Sequence, residues 1–340
     1  MDFKRIAIIG TNCISLSIAL SLKAEKEPLE IVGYDADRIP AELARAQGAF
    51  DRIERKPDRA CQDADLVFVA VPLTDIRETF TAIAPSLAPG CLVIGTARLK
   101  GPVMQWAEEL LPSDATFVGG HLILNPAIAG LDPLMGLDEA SDDLLAESLF
   151  CLTPPPGVSS AVINALDDLA LMLDAHPFFI DVTEHDGLQS GVVGLPDLLS
   201  IALLRSTVDT PGWEEMRKFA GARFATATAA AEQDDNEQER YKAIYLNREH
   251  IVRRLNVLLT ELFSLRDMLS QDDEELVIET FTKAAENREQ WMGDRARGMW
   301  VREQSLKSDQ IPTLGKQIRQ MFLGKRPDSR EEDIKKARKK

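Results

Sequence analysis

Apolar runs alternate with amphipathic stretches through the first half of the chain, and each apolar run has the length of a strand. The first run, over residues 5–9, stops at Gly10, and the apolar residues over 16–22 have helical spacing. A second run over 29–34 ends at Asp35. Further buried strands are predicted at 64–71, 91–95, 116–121, 150–152 and 178–182, with helices between them. This order predicts an α/β fold with a doubly wound parallel sheet of the Rossmann type.

The second half, from Glu184 onward, has no further strand-like alternation, which predicts an all-helical domain. Residues 195–204 are apolar on almost every side and predict a buried helix. Seven apolar residues then recur at steps of 7, 4, 3, 4, 3 and 4, namely Ile244, Ile251, Leu255, Leu258, Leu262, Leu265 and Leu269. This heptad spacing predicts one long helix that packs along its length against others. Because so apolar a helical domain commonly completes its core with a second copy, we predict a homodimer, with a monomeric helical bundle as the alternative.

The junction at Gly10 has the layout of a dinucleotide-binding site, in which strand, tight turn, helix, strand and acid follow one another. Asp35 lies 25 positions after Gly10, close to the roughly 20-residue spacing of the acid that holds the ribose hydroxyls of NAD. The G-x-G-x-x-G pattern reads Gly10, Asn12, Ser15. The predicted cofactor-binding residues are Gly10, Thr11, Asn12, Cys13, Ile14, Ser15, Asp35, Val71 and Pro72. A carboxylate repels a 2′-phosphate, so NAD is favoured over NADP; an ordinary βαβ unit without a nucleotide is the alternative.

Composition and charge narrow the possible partners. The 340 residues carry a formal net charge of −16, which argues against nucleic acid. The four cysteines form no C-x-x-C pair, and no acidic, cysteine or histidine cluster has metal-ligand spacing. Reduced thiols and no metal are therefore expected. No apolar stretch reaches the roughly 18 residues that span a bilayer, so we expect a cytoplasmic protein without a membrane partner.

Three stretches, taken in order, resemble the prephenate/arogenate dehydrogenase family. They are the opening βαβ unit with 33–35, then 93–103 followed by 117–121, and finally 184–186 leading into 195–199. The family's architecture agrees with a dinucleotide-binding domain at 1–182 and a helical substrate and dimerisation domain at 183–305. The lysines and arginines near the end of the sequence predict a charged C-terminal tail at 306–340. The resemblance implies oxidative decarboxylation of a small anionic substrate in tyrosine biosynthesis, with hydride passed to a nicotinamide.

His121 matches the catalytic histidine of that family, because it follows two glycines at the end of a predicted strand. Imidazole titrates near neutrality and suits a base that accepts the proton of a carbinol. A histidine that only caps a loop is the alternative. For His185, which lies between two acids, an interdomain structural role is favoured over catalysis.

Several positions depart from the family pattern. Arg98 stands where members usually carry a serine, and Gly194 and Asp197 stand where histidines flank a leucine-proline pair. Arg223 matches the family's substrate-binding arginine, with a helix-surface arginine as the alternative. Arg98 would suit a substrate with an extra carboxylate.

These departures leave three functional hypotheses. The first is an NAD-dependent dehydrogenase of the prephenate/arogenate type. The second is a dehydrogenase-like dimer without this activity that binds a nucleotide or a partner. The third is a dehydrogenase of another anionic hydroxy acid.

Overall fold

The computed structural model describes residues 3–24, 29–130, 136–232, 237–271 and 273–298. In these ranges eight strands form one sheet: β1 (Arg5–Ile9), β2 (Glu30–Tyr34), β3 (Arg52–Ile53), β4 (Leu66–Val69), β5 (Leu92–Gly95), β6 (Thr116–Ile123), β7 (Leu149–Thr153) and β8 (His176–Phe179). Their spatial order is β3-β2-β1-β4-β5-β6-β7-β8. The chain therefore leaves β1 first toward β2 and later toward β4, which is the reversal that defines a doubly wound sheet.

The strands run parallel except at one pair. β6 and β7 are antiparallel, from Gly119 opposite Thr153 to Ile123 opposite Leu149. The predicted doubly wound sheet is confirmed, but a wholly parallel sheet was wrong at this pair. The two-residue strand β3 was not predicted, because its short polar sequence at the edge of the sheet carries little hydrophobic signal.

Helices cover both faces of the sheet. In the first half they are α1 (Cys13–Ala24), α2 (Arg38–Ala46), α3 (Pro57–Cys61), α4 (Ile76–Ile83), α5 (Gly101–Leu110), α6 (Pro126–Ala129) and α7 (Ser160–Met172). Alternate residues of β1 point to opposite faces, as strand geometry requires. Ile8 packs in the cluster that holds Leu16 of α1 and Leu166 of α7, whereas Ile9 packs in the cluster that holds Phe80 of α4.

The rest of the described chain is helical. It contains α8 (Val182–Gln189), α9 (Leu195–Thr207), α10 (Trp213–Met216), α11 (Ala222–Thr228), α12 (Glu237–Leu246), α13 (Arg248–Leu269) and α14 (Glu274–Ala296). One π-helical turn, Ser190–Gly194, joins α8 to α9. The predicted single helix along the heptad seam was wrong at Asn247, which separates α12 from α13. The buried Asn247 amide donates to the carbonyl oxygen of Asp186 at 2.9 Å and so ties this break to α8.

The helical half leaves much apolar surface uncovered. The prediction that 195–204 is buried was wrong for a single chain, because Ser200 is the buried residue of α9 while Leu199 and Ile201 are each 39% exposed. Further exposed apolar side chains on α8, the π turn, α13 and α14 are Leu188, Val192, Val257, Leu259, Leu262, Phe263, Leu265, Leu269, Ile278 and Phe281. We call all of these residues together the apolar helical face.

The helical run 182–207 bears on the expected absence of a membrane span. By length and composition it is long and apolar enough to cross a membrane, so the expectation that no stretch passes this test was wrong. One such helix is weak support for a span, because helices at protein interfaces and in cores pass the same test. The described residues, which end at Gly298, pack into one compact unit. The predicted tail at 306–340 lies outside the described residues.

The four cysteines are free and buried, and they give the fold a pH dependence. Burial raises the pKa of the Cys91 thiol to about 12 and that of Cys151 to about 11. Unfolded thiols ionise above a pH of about 8.5, so the folded state then holds more protons and stability falls as pH rises.

Between about pH 8 and pH 10, the unfolding free energy of Cys91→Ala should therefore fall by about 1–2 kcal/mol less than that of the wild type. Urea unfolding of both proteins at the two pH values measures this difference. The comparison is with the wild type because burial lowers the pKa of Lys100 to about 8, which has the opposite effect on stability over the same range. An equal loss in both proteins would contradict the prediction.

Candidate active site

A cavity of about 980 Å³ opens at the carboxyl ends of β1 and β4, where the strand order reverses. Ligands of doubly wound sheets bind at this point, and the volume is typical of a ligand site. The predicted residues Gly10, Thr11, Asn12, Asp35, Val71, Pro72, Arg98 and His121 line it. These predicted cofactor-binding residues and the predicted catalytic histidine thus line one cavity.

The turn after β1 requires a glycine. Gly10 has a φ of 93°, and a Cβ at this position would lie 2.7 Å from the carbonyl oxygen of Ala70 and 3.0 Å from Val71. A side chain would therefore be strained by conformation and blocked by backbone. The absence of a side chain keeps this corner of the cavity open.

Asn12 caps α1. Its Oδ1 accepts from the Ser15 amide at 3.0 Å, and the Ser15 hydroxyl accepts from the Asn12 amide at 2.9 Å. This reciprocal pair is a capping box, and the Asn12 side chain also donates to Ala70 at 3.0 Å. Two amides at the start of α1 are thereby used by side chains. Cys13, Ile14 and Ser15 are not among the residues that line the cavity, and Cys13 and Ser15 are buried.

Asp35 holds the same turn from the second strand. Its Oδ2 accepts from the Thr11 amide at 2.6 Å and its Oδ1 from the Asp37 amide at 2.9 Å. The neighbouring Thr11 hydroxyl is buried without a hydrogen-bond partner in the described chain. A buried orphan hydroxyl in the wall of a cavity is the kind of group that a ligand satisfies. Arg38, the nearest candidate for a 2′-phosphate, pairs instead with Glu42 at 2.9 Å.

At the other end of the cavity, His121 from β6 contacts α8. Its Nδ1 lies 3.1 Å from Nε2 of His185, and the two rings meet edge to face. Burial is the main cause that lowers the pKa of His121 to about 3, and the charge of Lys100 is the next. His185 and Arg98 act in the same direction. The His121 imidazole is therefore neutral near pH 7 and can accept a proton.

A buried acid anchors this pair. Oδ1 of Asp186 lies 2.9 Å from Nδ1 of His185 and accepts from the Lys100 amide at 2.9 Å, while Oδ2 accepts from the Gly101 amide at 2.8 Å. Burial alone would raise the pKa of Asp186. The hydrogen bond from His185 and the two backbone amides outweigh burial and lower it. Asp186 is therefore a carboxylate near neutral pH.

Lys100 is fully buried beside these groups. Its Nζ donates to the carbonyl oxygens of Ala97 at 2.5 Å, Gly120 at 2.7 Å and Gly95 at 3.5 Å. Lys100 thus joins the ends of β5 and β6 just before His121. The sequence did not single out Lys100, Gln189 or Asp186 as site residues. The only signal for the acid was its place in the 184–186 motif, next to His185.

The residues that depart from the family pattern, Arg98, Gly194 and Asp197, line a second, smaller cavity. It is lined in part by Arg98, Gln189, Gly194, Asp197, Arg240 and Ile251. A Cβ on Gly194 would lie 3.1 Å from Cδ1 of Ile251, so this isoleucine fills the space where the pattern expects a histidine.

Arg223 is exposed on α11 and lines neither cavity, so its predicted substrate role gains no support from a single chain. The described residues hold no group of three or more histidine, cysteine or acidic side chains that could bind a metal.

Comparisons with known proteins agree with this layout. The family model "Prephenate dehydrogenase, nucleotide-binding domain" matches residues 18–177, and "Prephenate dehydrogenase, dimerization domain" matches 181–283. The chain is 25% identical to the prephenate dehydrogenase of Bacillus subtilis, over 84% of this chain and 75% of that one. It is also 25% identical to the cyclohexadienyl dehydrogenase of Zymomonas mobilis, over 84% and 95%.

Solved structures show the same fold. The prephenate dehydrogenase of A. aeolicus, in complex with hydroxyphenyl propionate and NAD+, superposes with a TM-score of 0.72 at 21% identity, covering 85% of this chain and 99% of that one. Synechocystis arogenate dehydrogenase gives a TM-score of 0.71 at 18% identity, covering 84% and 99%.

Proposed function

The chain belongs to the prephenate dehydrogenase family, and on this premise we propose that it is an NAD-dependent oxidoreductase that oxidatively decarboxylates a small anionic substrate of the prephenate/arogenate type. The observation that carries the proposal is that Asp35 and Gly10 at one end, and His121 at the other, line the same cavity. A nucleotide clamp and a proton acceptor thus face one space. The family places the reaction in tyrosine biosynthesis.

The residues at the opening turn fit NAD. Gly10 leaves the space that a Cβ would fill, and the orphan hydroxyl of Thr11 lies beside the acid that closes β2. Each Asp35 oxygen accepts one backbone amide and keeps a lone pair for a ribose hydroxyl. Further carboxylates of Asp37, Asp75, Glu78 and Glu239 line the cavity, which disfavours the extra phosphate of NADP.

The proposed mechanism assigns proton transfer to His121. Its neutral imidazole would accept the hydroxyl proton as the substrate carbinol is oxidised, while bound NAD would supply the acceptor for the hydride. An anionic substrate would also offset the charges of Lys100 and Arg98, which would make His121 a stronger base once the substrate is bound. Loss of carbon dioxide would then follow from the oxidised ring.

Arg98 is our candidate for binding the substrate's carboxylate. It is exposed at the junction of the two cavities, close enough to His121 for its charge to affect that ring. A guanidinium recognises a carboxylate through two parallel hydrogen bonds. A second candidate function is a dehydrogenase of another anionic hydroxy acid. It is favoured by Arg98, Gly194 and Asp197, because they change the chemistry where the family binds its substrate. Arg223 stays a predicted substrate residue.

Two measurements test the function. NAD and NADP are first titrated by thermal shift, and a ligand at 100 times its Kd should add about 2.7 kcal/mol of stability. NADH formation is then followed with prephenate, with arogenate and with a panel of small 2-hydroxy acids. We expect a response to NAD and turnover with prephenate or arogenate. The absence of any response to either nucleotide would overturn every dehydrogenase hypothesis, while turnover only with the panel would favour the second candidate.

Replacing Arg98 tests the carboxylate contact. Arg98→Gln should raise the KM for the anionic substrate by roughly 10–100-fold, as expected for the loss of a charge-assisted hydrogen bond of about 1.5–3 kcal/mol. The Kd of NAD should change little. Steady-state kinetics measures the change, and Arg253→Gln, an exposed α13 arginine, is the matched control. An unchanged KM would assign the carboxylate to another residue.

Asn12 is expected to weaken cofactor binding relative to the glycine of the full motif. Asn12→Gly removes the side chain beside the pyrophosphate position and frees the Ser15 amide. NAD should therefore bind more tightly by several-fold, although the unfolding free energy should fall slightly because a helix cap is lost. Isothermal titration and urea unfolding measure the two effects. Weaker binding by this variant would show that the capping box helps to build the site.

We also propose that the chain is a homodimer through the apolar helical face. The family's dimerization domain spans 181–283, and most of this face lies on its helices. A partner copy would cover Val192 and Phe263, which are 73% and 55% exposed. Sedimentation equilibrium should report about twice the 37.6 kDa chain mass, and Phe263→Glu should shift it toward monomer. A monomeric wild type would contradict the proposal.

The remaining predictions stay proposals as well. We propose the division into a dinucleotide-binding domain at 1–182 and a helical domain at 183–305, and a cytoplasmic location. The start of α8 at Val182 and the change from strands to helices there support the boundary.

A further inference from the structure

We propose that His185 and Asp186 form a proton relay with His121, in which His185 is a positioning residue that fixes the tautomer of the base and takes up its second proton. The proposal rests on the proposed function and adds two residues to it. It differs from the expectation that favoured an interdomain structural role for His185 over catalysis.

The tautomers follow from the hydrogen bonds. Asp186 is a carboxylate that accepts only, so the Nδ1 of His185 at 2.9 Å must carry the proton. In the resting state that we propose, His185 carries only this proton, so its Nε2 is unprotonated. This nitrogen lies 3.1 Å from Nδ1 of His121, which must therefore be the donor. The Nε2 of His121 is left with its lone pair, ready to accept a proton.

Backbone hydrogen bonds hold the Asp186 carboxylate in place, so it remains an acceptor toward His185. Its two oxygens accept the amides of Lys100 and Gly101 at the start of α5. A Cβ on Gly101 would lie 3.1 Å from Oδ2, so α5 packs directly on the carboxylate. The main-chain oxygen of the same residue accepts from Asn247, which fixes α8 against the break between α12 and α13.

Gln189 also contacts His121. The side-chain amide of Gln189 lies 3.4 Å from Nδ1 of His121, a longer contact than that of His185. A half-turn of the amide presents its oxygen instead of its nitrogen. Gln189 can therefore accept from the protonated Nδ1 and does not compete with the tautomer that His185 requires.

The relay moves the positive charge that forms on His121 to His185. When Nε2 of His121 accepts the substrate proton, the proton on Nδ1 can pass to Nε2 of His185, so His121 returns to a neutral ring. His185 becomes an imidazolium that keeps its Nδ1–H bond to the Asp186 carboxylate. The charge moves from a ring whose protonation Lys100 and Arg98 oppose to one paired with an anion. After the products leave, the proton on His185 returns to Nδ1 of His121 and the proton on Nε2 of His121 is released to solvent, which restores the resting state.

The tautomers can be measured without turnover. The chain has four histidines, so ¹⁵N-histidine labelling of the full-length protein gives few signals, assignable by single substitutions. We expect His121 to carry its proton on Nδ1 in the wild type. Asp186→Asn can donate to His185, which would invert both rings and place the His121 proton on Nε2. A wild-type His121 protonated on Nε2, or no inversion in the variant, would overturn the relay.

Kinetics supplies the second readout. Asp186→Asn should lower kcat by about 10²–10⁴-fold, since a base held in the wrong tautomer cannot accept the proton. The Kd of NAD should stay within about threefold, because Asp186 is not among the residues that line the cavity. His185→Gln should lower kcat similarly and serves if Asp186→Asn does not fold. His176→Gln, whose ring pairs with Glu147 at the surface, is the matched control and should change neither tautomer nor kcat.

The outcomes separate the two proposals. The expected tautomers in a wild type that turns over neither prephenate nor arogenate would contradict the proposed substrate and leave the relay supported. Normal turnover by Asp186→Asn would contradict the relay and leave the dehydrogenase function supported.

Discussion

Turnover by the His121→Asn variant should fall by about 10²–10⁴-fold, which is the usual loss on removal of a general base. The reason is geometric as well as chemical. His121 lines the same cavity as the nucleotide clamp at Asp35, and its Nδ1 is held by His185, so Nε2 is the nitrogen left to meet a substrate. Asparagine places a polar amide near the position of Nδ1 but has no basic nitrogen.

The measurement is NADH formation under saturating substrate, together with a thermal shift on NAD. The variant should keep the NAD-induced shift, because the clamp lies at the far end of the cavity. His176→Asn removes a histidine from the surface and should leave both quantities at the wild-type level. Wild-type turnover by His121→Asn would mean that another group takes the proton.

The sequence was sufficient for the parts of the fold that depend on local pattern. Gly10 and Asp35 were identified because strand, turn and acid follow one another within one βαβ unit. Their spatial relation then follows from the parallel register of β1 and β2, in which Ile9 pairs with Tyr34. His121 was identified because it matches the catalytic histidine of the family that the sequence resembles and lies at the carboxyl end of a predicted strand.

The sequence could not predict features that depend on contacts between elements distant in the chain. The break at Asn247 lies inside an unbroken heptad pattern, and the bond of its side chain to the distant Asp186 is not visible in that pattern. The exposure of Leu199 depends on whether a partner covers it, which spacing along one chain does not reveal. The role of His185 depends on a contact with His121 across 64 positions of the sequence.

Gly194 stands at one of the positions where the family pattern has a histidine. The side chain that the family pattern expects is absent, and Ile251 from α13 occupies the space. Arg98, Gln189 and Asp197 line the smaller cavity with Gly194, and Arg98 and Gln189 also line the cavity that holds His121. The predicted substrate end of the cavity therefore carries other polar groups than the family pattern leads us to expect, so the substrate needs a direct assay.

The second large effect is expected for Gly10→Ala, which should lose the stabilisation by NAD and about 2–5 kcal/mol of unfolding free energy. The left-handed backbone costs about 1–2 kcal/mol for a side chain, and forced contact with the main chain adds about 1–3 kcal/mol. The contact cannot be relieved by a side-chain rotation, because the atom that a Cβ would meet at 2.7 Å is the backbone oxygen of Ala70.

Gly48→Ala separates the two costs. Gly48 has a φ of 83°, close to that of Gly10, but a Cβ there would meet nothing within 4 Å. This control should lose only the conformational part, about 1–2 kcal/mol, and should keep its full response to NAD. Urea unfolding and thermal shift with NAD, applied to both variants, give the difference. Equal losses and equal NAD responses would mean that the close approach of β4 to the turn does not shape the site, since backbone strain alone would then account for Gly10.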